Sequence, residues 1–167
     1  EAEIVLVANF ALTSHNAQEL FKPAYNRESY CGIYIPDDKK LTIDLAGHVV
    51  SYYDEYYDVD NVMVLNFGDL TIEDSEGGGK LSYTPVAGSS TYSKFYSTIF
   101  NCGSLTVNDG TLTGAYYYAV RQYTHYFSGV ENRVIINGGT IDINNTPDKF
   151  GKIKSRLNNP DNNAWGL

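Results

Sequence analysis

The chain has 167 residues, enough for one domain with its own core, and a formal charge of −8 at neutral pH. This acidic balance argues against nucleic acid or an anionic membrane surface as a partner, and no apolar run approaches the roughly 18 residues of a membrane span. Fifteen tyrosines outnumber seven phenylalanines and one tryptophan. Such a composition is typical of an amphipathic surface, because the tyrosine ring is apolar and its hydroxyl is polar.

The first 28 residues precede a repeat. Glu3–Val7 predicts a first strand, and Ser14–Phe21 predicts a short helix that begins at Ser14. The chain opens on Glu1 without a basic stretch followed by an apolar one, so we expect a processed chain or an excised piece. Because the open end of a stack of strands invites pairing with other chains, we expect residues 1–28 to form an N-terminal cap.

A repeat of the form Asn-x-Gly-polar-[Leu/Ile]-[Thr/Asp]-[Ile/Val] follows the N-terminal segment. Its copies begin at Asn66, Asn101 and Asn137, at offsets of 35 and 36 residues, and a degenerate copy spans 38–43. An apolar run precedes each copy, and a glycine-marked corner with another short alternation follows the first three. No 3.6-residue apolar pattern connects these runs, so helices between the strands are not expected.

Three short strands per repeat, joined by corners and repeated along one axis, predict an all-β fold. The specific prediction is a single-stranded right-handed parallel β-helix of about four coils over residues 29–145. Stacking of the coils predicts two inward columns: Leu70, Leu105 and Ile141, and Ile72, Val107 and Ile143. At one corner, Asn66, Asn101 and Asn137 are expected to form a ladder of amides, the alternative being three separate turn residues.

Three stretches, 40–48, 69–81 and 103–114, resemble pectate-lyase-like right-handed parallel β-helix domains in the order and spacing of their motifs. More narrowly, they resemble the non-catalytic β-helix modules of bacterial surface adhesins and of phage fibres and tailspikes. The resemblance covers roughly residues 28–145. It implies an extracellular location, on a cell or virion surface, but not one activity, because this fold carries lyases, hydrolases, adhesins and structural segments.

The C-terminal segment and the cysteines leave alternatives open. Residues 146–167 are polar and rich in Asn and Pro, and they are either a closing cap with Trp165 on the last coil or a linker. Cys31 and Cys102 each lie beside glycine and near apolar residues, so two buried thiols are expected, with a single disulfide as the alternative.

Three long connections, 51–60, 84–97 and 115–132, follow the third strand of successive coils, so they are expected to emerge on one side of the stack. Most tyrosines lie in them, and stacked loops of flat rings with hydroxyls suit a glycan or a protein receptor. The alternatives are that the tyrosines point inward or cover the sheet between coils, or that they form a subunit interface such as that of a fibre trimer. The predicted binding residues are Tyr52, Tyr53, Tyr56, Tyr57, Tyr92, Tyr96, Tyr116, Tyr117, Tyr118, Tyr123 and Tyr126.

Catalytic interpretations have less support in the sequence. The acidic residues within 54–60 offer oxygen ligands for Ca²⁺, but their spacing fits no EF-hand, so we expect a solvated loop and neither metal nor cofactor. A polysaccharide lyase would use an arginine beside such carboxylates, and Arg121 and Arg133 are available outside any recognisable motif. The sequence therefore predicts a non-enzymatic adhesion module. A phage fibre or capsid-decoration protein, with a homotrimer as its assembly, is the alternative, and a lyase is the third interpretation.

Overall fold

The computed structural model describes residues 1–13, 18–19, 29–53, 60–84, 97–114, 118–123 and 132–142. These residues form fifteen strands in three five-stranded sheets, and no helix occurs among them. Sheet A contains, side by side, β1 (Ala2–Val5), β5 (Lys40–Asp44), β8 (Asp69–Glu73), β11 (Ser104–Val107) and β14 (Arg133–Ile136). Sheet B contains β2 (Phe10–Thr13), β6 (Val49–Tyr53), β9 (Lys80–Thr84), β12 (Thr111–Thr113) and β15 (Thr140–Asp142). Sheet C contains β3 (Gln18–Glu19), β4 (Ser29–Ile35), β7 (Asp60–Asn66), β10 (Ser97–Asn101) and β13 (Tyr118–Gln122).

The chain passes through the sheets in a fixed rotation. From β4 to β15 it visits sheets C, A and B in turn, and each strand pairs in parallel with the strand three elements later. The only antiparallel pair among the described strands joins β3 to β4. The protein is therefore all-β with parallel strands in three sheets, an arrangement that is compatible with a β-helix.

The core lies between the sheets and is built from columns of apolar side chains. In sheet A, Leu70 pairs with Leu105, and Ile72 with Val107, and all four side chains are buried. Side chains alternate between the two faces of a strand, so a register that aligns Leu with Leu also aligns Ile with Val two positions later. The predicted stacking is confirmed for these four residues.

The last copy of the repeat lies in a different sheet from the one predicted. Ile141 pairs with Leu112 in sheet B, and Val134 takes the place next to Leu105 in sheet A. The predicted position of Ile141 beside Leu105 is therefore wrong, and Ile143 lies outside the described residues. The shift arises because 118–122, interpreted from sequence as part of a loop, forms a strand of sheet C. Each later apolar run consequently lies in the next sheet of the rotation rather than in the predicted one.

A ladder of buried amides closes the corner between sheets C and A. Asn66 Nδ2 donates to Asn101 Oδ1 at 2.6 Å, and Asn101 Nδ2 donates to Gln122 Oε1 at 2.6 Å. Both asparagines are fully buried, so these bonds satisfy polar groups that water does not reach. The predicted ladder is confirmed for Asn66 and Asn101, but its third member is Gln122. Asn137 is exposed and donates to Asn108 Oδ1 at 2.8 Å.

The same corner requires glycine because two backbones approach closely. A Cβ on Gly103 would lie 2.1 Å from the carbonyl oxygen of Gly68, and a Cβ on Gly68 would lie 2.3 Å from that of Lys39. Neither glycine has a positive φ. The absence of a side chain, rather than backbone freedom, is therefore what this corner needs.

A different corner, between sheets A and B, is held by carboxylates. Asp44 Oδ1 accepts hydrogen bonds from the amides of Ser75 and Ala46, both at 2.9 Å. Asp74 accepts from Gly47 and Gly79, each at 2.7 Å. The bonds that Ser75 donates, followed by that of Ala46, hold the pKa of Asp44 below its usual range despite the opposing effect of burial.

The N-terminal segment adds one strand to each sheet. The predicted first strand is confirmed within β1, and β2 pairs in parallel with β6. The helix predicted over 14–21 is wrong at Gln18 and Glu19, which form β3, and its other residues lie outside the described part of the chain. Pairing with the open edge of β4 supplies these two residues with partners that an isolated short helix would lack. The capping role of 1–28, the three-part division of the chain and the nature of 146–167 stay predictions.

Candidate functional site

Four of the eleven tyrosines predicted to bind a ligand lie in the described residues, namely Tyr52, Tyr53, Tyr118 and Tyr123. The remaining seven lie outside them: Tyr56, Tyr57, Tyr92, Tyr96, Tyr116, Tyr117 and Tyr126. Tyr52 is fully buried in the core, and its ring centroid lies 5.2 Å from that of Tyr83. Its predicted place on a surface is therefore wrong, because alternation along β6 points Tyr52 inward and leaves Tyr53 45% exposed.

The tyrosine-rich connections do not all share one corner. Strands of sheet B end at Tyr53 and Thr84, and the chain then enters sheet C, so the connections 54–59 and 85–96 both join sheet B to sheet C. The predicted third connection, 115–132, is divided by β13. Tyr118 begins this strand, on the side of the connection from sheet B, whereas Tyr123 follows it at the passage to sheet A.

The outer face of sheet C carries a continuous row of large side chains. Ile33, Val64, Ile99 and Val120 occupy one column of this sheet; the last three belong to the buried core, and the partly buried Ile33 packs against it. The next column, one residue further along each strand, therefore faces outward, and it consists of Tyr34, Leu65, Phe100 and Arg121. Phe67 and Tyr123 follow the ends of β7 and β13 beside this column, and Tyr118, at the start of β13, contacts Arg121. We call Tyr34, Phe67, Phe100, Tyr118, Arg121 and Tyr123 the aromatic strip.

The rings of the aromatic strip contact one another in pairs. Tyr34 meets Phe67 edge-on, with ring centroids 5.8 Å apart and planes at 73°. Phe100 lies against Tyr123 with centroids 5.7 Å apart and planes tilted by 38°. Phe67 is buried, Phe100 and Tyr123 are half-buried, and Tyr34 is 39% exposed. Packed pairs of this kind fix the ring orientations, so the strip presents a firm rather than an adaptable surface.

Arg121 lies between two rings of the aromatic strip. Its guanidinium carbon is 5.6 Å from the ring centroid of Phe100 and 5.5 Å from that of Tyr118. Both distances are within the range of a cation–π contact. Stacking on the ring faces orients the guanidinium plane, whose edge carries N–H donors suited to carboxylate or hydroxyl oxygens. Arg121, which the sequence offered as a lyase base, is thus held by aromatic rings.

Burial favours the neutral forms of the Tyr34 phenol and of the two cysteine thiols near the aromatic strip. Burial, and secondarily the charge of Asp37, raises the pKa of the Tyr34 phenol. Burial also raises the pKa of both Cys31 and Cys102 to about 12. Both cysteines are buried free thiols that pack with Val62, Leu65 and Phe67, as the sequence predicted in preference to a disulfide. The strip therefore offers hydroxyl and guanidinium donors on an apolar surface, without a thiolate.

Within the described ranges, no three side chains of His, Cys, Asp or Glu come close enough together to hold a metal ion. The acidic residues of the connection 54–59 lie outside those ranges. The part of the chain that the structure describes likewise contains no helix long and apolar enough to cross a membrane.

Sequence reasoning missed three rings of the aromatic strip, those of Tyr34, Phe67 and Phe100, and the neighbouring Leu65. Phe100 and Leu65 each stand directly before an asparagine of the amide ladder, and Tyr34 stands directly before Ile35, which pairs with Asn66. Once the asparagines are placed inward, alternation puts the residue before each of them on the outer face. The sequence therefore contains a signal for this outer face in the residues that precede the asparagines, outside the tyrosine-rich connections.

The chain matches no protein-family model, no curated protein and no solved structure.

Proposed function

We propose that residues 29–145 wind as a right-handed parallel β-helix and that the protein is a non-enzymatic binding module. The rotation of the chain through sheets C, A and B supports the β-helix, as does the register that repeats from β4 to β15. In such a scaffold each new coil adds one strand to every face, so a side chain repeated at one position generates a row along the stack.

The proposed ligand is an extended glycan that lies along the aromatic strip. The single observation that carries this proposal is the row of paired rings, Tyr34 with Phe67 and Phe100 with Tyr123, on the outer face of sheet C. Tyr34 and Phe100 belong to strands separated by β7, so they are roughly 10 Å apart along the stack, given the strand spacing. A linear polysaccharide presents sugar rings at regular intervals, and their apolar faces can stack on aromatic rings placed at regular intervals.

Polar groups of the strip would give this contact its orientation. The phenol of Tyr34 and the guanidinium of Arg121 lie in one register column, with Leu65 and Phe100 between them. Hydroxyl groups at the edge of a stacked sugar are suitable partners for both donors. Packed rings lose little side-chain freedom on binding, which lowers the entropic cost of association.

The experiment is a glycan array followed by calorimetric titration of the best ligand. Tyr34→Ala is expected to weaken binding by about tenfold, because it removes the exposed aromatic ring at the β4 end of the strip. Tyr53→Ala is the matched control, since Tyr53 is similarly exposed but lies on sheet B. The proposal fails if no array glycan binds, or if the two substitutions weaken binding equally. Surface location, a protein receptor and a virion homotrimer stay predictions that this experiment does not require.

A further inference from the structure

The two ends of the stack expose core positions rather than polar ones. We call β1 and β2 the N-end, and β14 and β15 the C-end, because these strands are the outermost members of sheets A and B. Repeat proteins ordinarily cover such ends with a polar surface, since the last unit has no neighbour to bury its apolar face.

The inward columns run from one end to the other. In sheet A one column contains Ile4, Ile43, Ile72, Val107 and Ile136. Its three middle members are at most 3% exposed, whereas Ile4 is 48% and Ile136 is 40% exposed. In sheet B a second column contains Phe10, Val50, Leu81, Leu112 and Ile141, and Phe10 at its start is 52% exposed. Each end therefore offers the side chains that the other end would bury.

The backbone of each end fits the same partner. Among the described strands, β1 pairs only with β5 and β14 only with β11, so each has an outer edge without a strand partner. Both edges belong to a parallel sheet. The pairing found between neighbouring strands of this sheet can therefore be repeated between β14 of one copy and β1 of another. A second copy could thus place its β1 beside β14 without a change of register or direction.

Charge distinguishes this arrangement from symmetric ones. In continued register, Arg133 at the C-end would face Glu1 of the next copy, with Glu3 one position further along the same face. A contact between two N-ends would instead bring Glu1 and Glu3 against their own copies, and a contact between two C-ends would bring Arg133 against itself. Like charges that lie opposite each other are destabilising, so the charges favour unlike ends.

We propose that the N-end of one copy docks on the C-end of another and extends sheets A and B in parallel register. The occupant of each end is therefore a second copy of this chain. Such a contact joins different surfaces and does not close on itself, so it generates a linear series of copies rather than a fixed dimer. The antiparallel β3 terminates sheet C at the N-end, which restricts the continued pairing to the other two sheets.

The decisive experiment blocks one end at a time. Ile4→Asp places a carboxylate in the apolar contact at the N-end, and Ile136→Asp does so at the C-end. In sedimentation velocity, the unmodified chain is expected to show masses that rise with concentration in multiples of 18.6 kDa. Each variant alone is expected to stay monomeric, and an equimolar mixture should form a dimer and nothing larger, because only one pair of intact ends remains. Concentration-independent monomer for the unmodified chain, or a dimer formed by one variant alone, would overturn the proposal.

A second pair of variants tests the contact without changing apolar residues. Glu1→Lys and Arg133→Glu change the two residues that face each other in continued register, so each is expected to raise the dissociation constant by about tenfold or more, and the double variant should recover most of that loss. Glu76→Lys makes the same charge change at an exposed corner on the side of the stack and should leave association unchanged. If Glu76→Lys weakens association as much as Glu1→Lys does, net charge rather than end-to-end docking controls association, and the proposal is wrong.

Discussion

Replacement of Asn101 by alanine tests whether the amide ladder stabilises the stack. The buried Asn101 side chain makes four hydrogen bonds, of which the donation to the Arg133 carbonyl is the longest at 3.2 Å. In the three shorter bonds it accepts from Asn66 Nδ2 at 2.6 Å and donates to Gln122 Oε1 at 2.6 Å and to the Gly103 carbonyl at 2.8 Å. Asn66 Nδ2 keeps a second acceptor, the Ser104 carbonyl at 2.9 Å. At about 1 kcal/mol of net stability per lost bond, Asn101→Ala should lower the free energy of unfolding by about 3 kcal/mol.

Asn137 provides the matched control, since both asparagines open a copy of the same sequence motif. Asn137 is exposed, and the one bond described for its side chain is the donation to Asn108 Oδ1. Solvent can replace that bond at once. Asn137→Ala is therefore expected to change the free energy of unfolding by no more than about 0.5 kcal/mol.

Urea unfolding, followed by circular dichroism, measures both changes. With a denaturant dependence of about 2 kcal/mol per molar urea, the Asn101 variant should unfold at a midpoint about 1.5 M lower than the unmodified chain. The Asn137 variant should unfold within about 0.3 M of it. Equal midpoints for the two variants would refute the assignment of one asparagine to a buried ladder and the other to the surface.

Three further predictions concern the corners and the thiols. Gly103→Ala should lower the free energy of unfolding by about 3 kcal/mol in the same urea assay, because its Cβ would meet a carbonyl oxygen at 2.1 Å. Gly77→Ala, at a φ of +77° and with open space around the Cβ, should lower it by about 1 kcal/mol. Similar losses for the two variants would contradict the steric explanation. The pKa of Asp44 is lowered in the folded chain, so its carboxylate should stabilise the fold fully above the unfolded pKa of about 4, and this stabilisation should be lost as the pH falls through the folded pKa. The difference in free energy of unfolding between the unmodified chain and Asp44→Asn should therefore shrink in acid and stay constant near pH 7. Since burial raises the pKa of Cys31 and Cys102 to about 12, mass spectrometry should find neither thiol alkylated by iodoacetamide at pH 8 until urea is added. Rapid labelling of the folded chain would contradict the burial of the two thiols.

A strand could be assigned to its sheet from the sequence only where the alternation of inward and outward residues was unambiguous. In 69–73 and 104–107, a Leu-Thr pair followed by Ile or Val separates inward from outward residues, and the offset of 35 residues fixed the register of the two strands. In 118–122 the order Tyr-Ala-Val-Arg-Gln places two small apolar residues side by side between polar ones. Both Ala119 and Val120 are buried, so this strand has no period of two that could be recognised.

The last copy of the sequence repeat, whose sheet was wrongly predicted, shows that one motif can meet different structural requirements. Gly139 has a φ of +83°, as Gly110 does with +93°, and both occupy the corner that leads into sheet B. Gly68 and Gly103 lack a positive φ and are required by close backbone contacts at the corner between sheets C and A. An Asn followed two residues later by Gly suits either corner, so the motif alone could not decide between them.

The candidate site was predictable in kind but not in place. An excess of tyrosine indicated an aromatic surface, yet exposure depends on strand alternation, and the adjacent Tyr52 and Tyr53 differ from fully buried to 45% exposed. Tyr34 and Phe100 come together only because β4 and β10 both flank β7, although 66 positions separate the two residues in the chain. Alternation before Asn101 places Phe100 on the outer face, but only the register of sheet C, in which Ile35 pairs with Asn66, relates Tyr34 to it.

The aromatic strip and the stack ends together predict a dependence of binding on assembly. The strip lies on the side of the stack and the docking ends lie across its axis, so a linear series of copies would carry several strips at once. Linked sites raise the effective concentration at which a second strip meets the same polymer, and the gain can reach about a hundredfold or more. Ile136→Asp should therefore weaken retention on an immobilised polysaccharide while leaving the affinity for a soluble oligosaccharide, measured by calorimetry, unchanged. Equal effects of Ile136→Asp in the two measurements would mean that the end residue acts through the strip itself, and that assembly and binding are not separate properties of this fold.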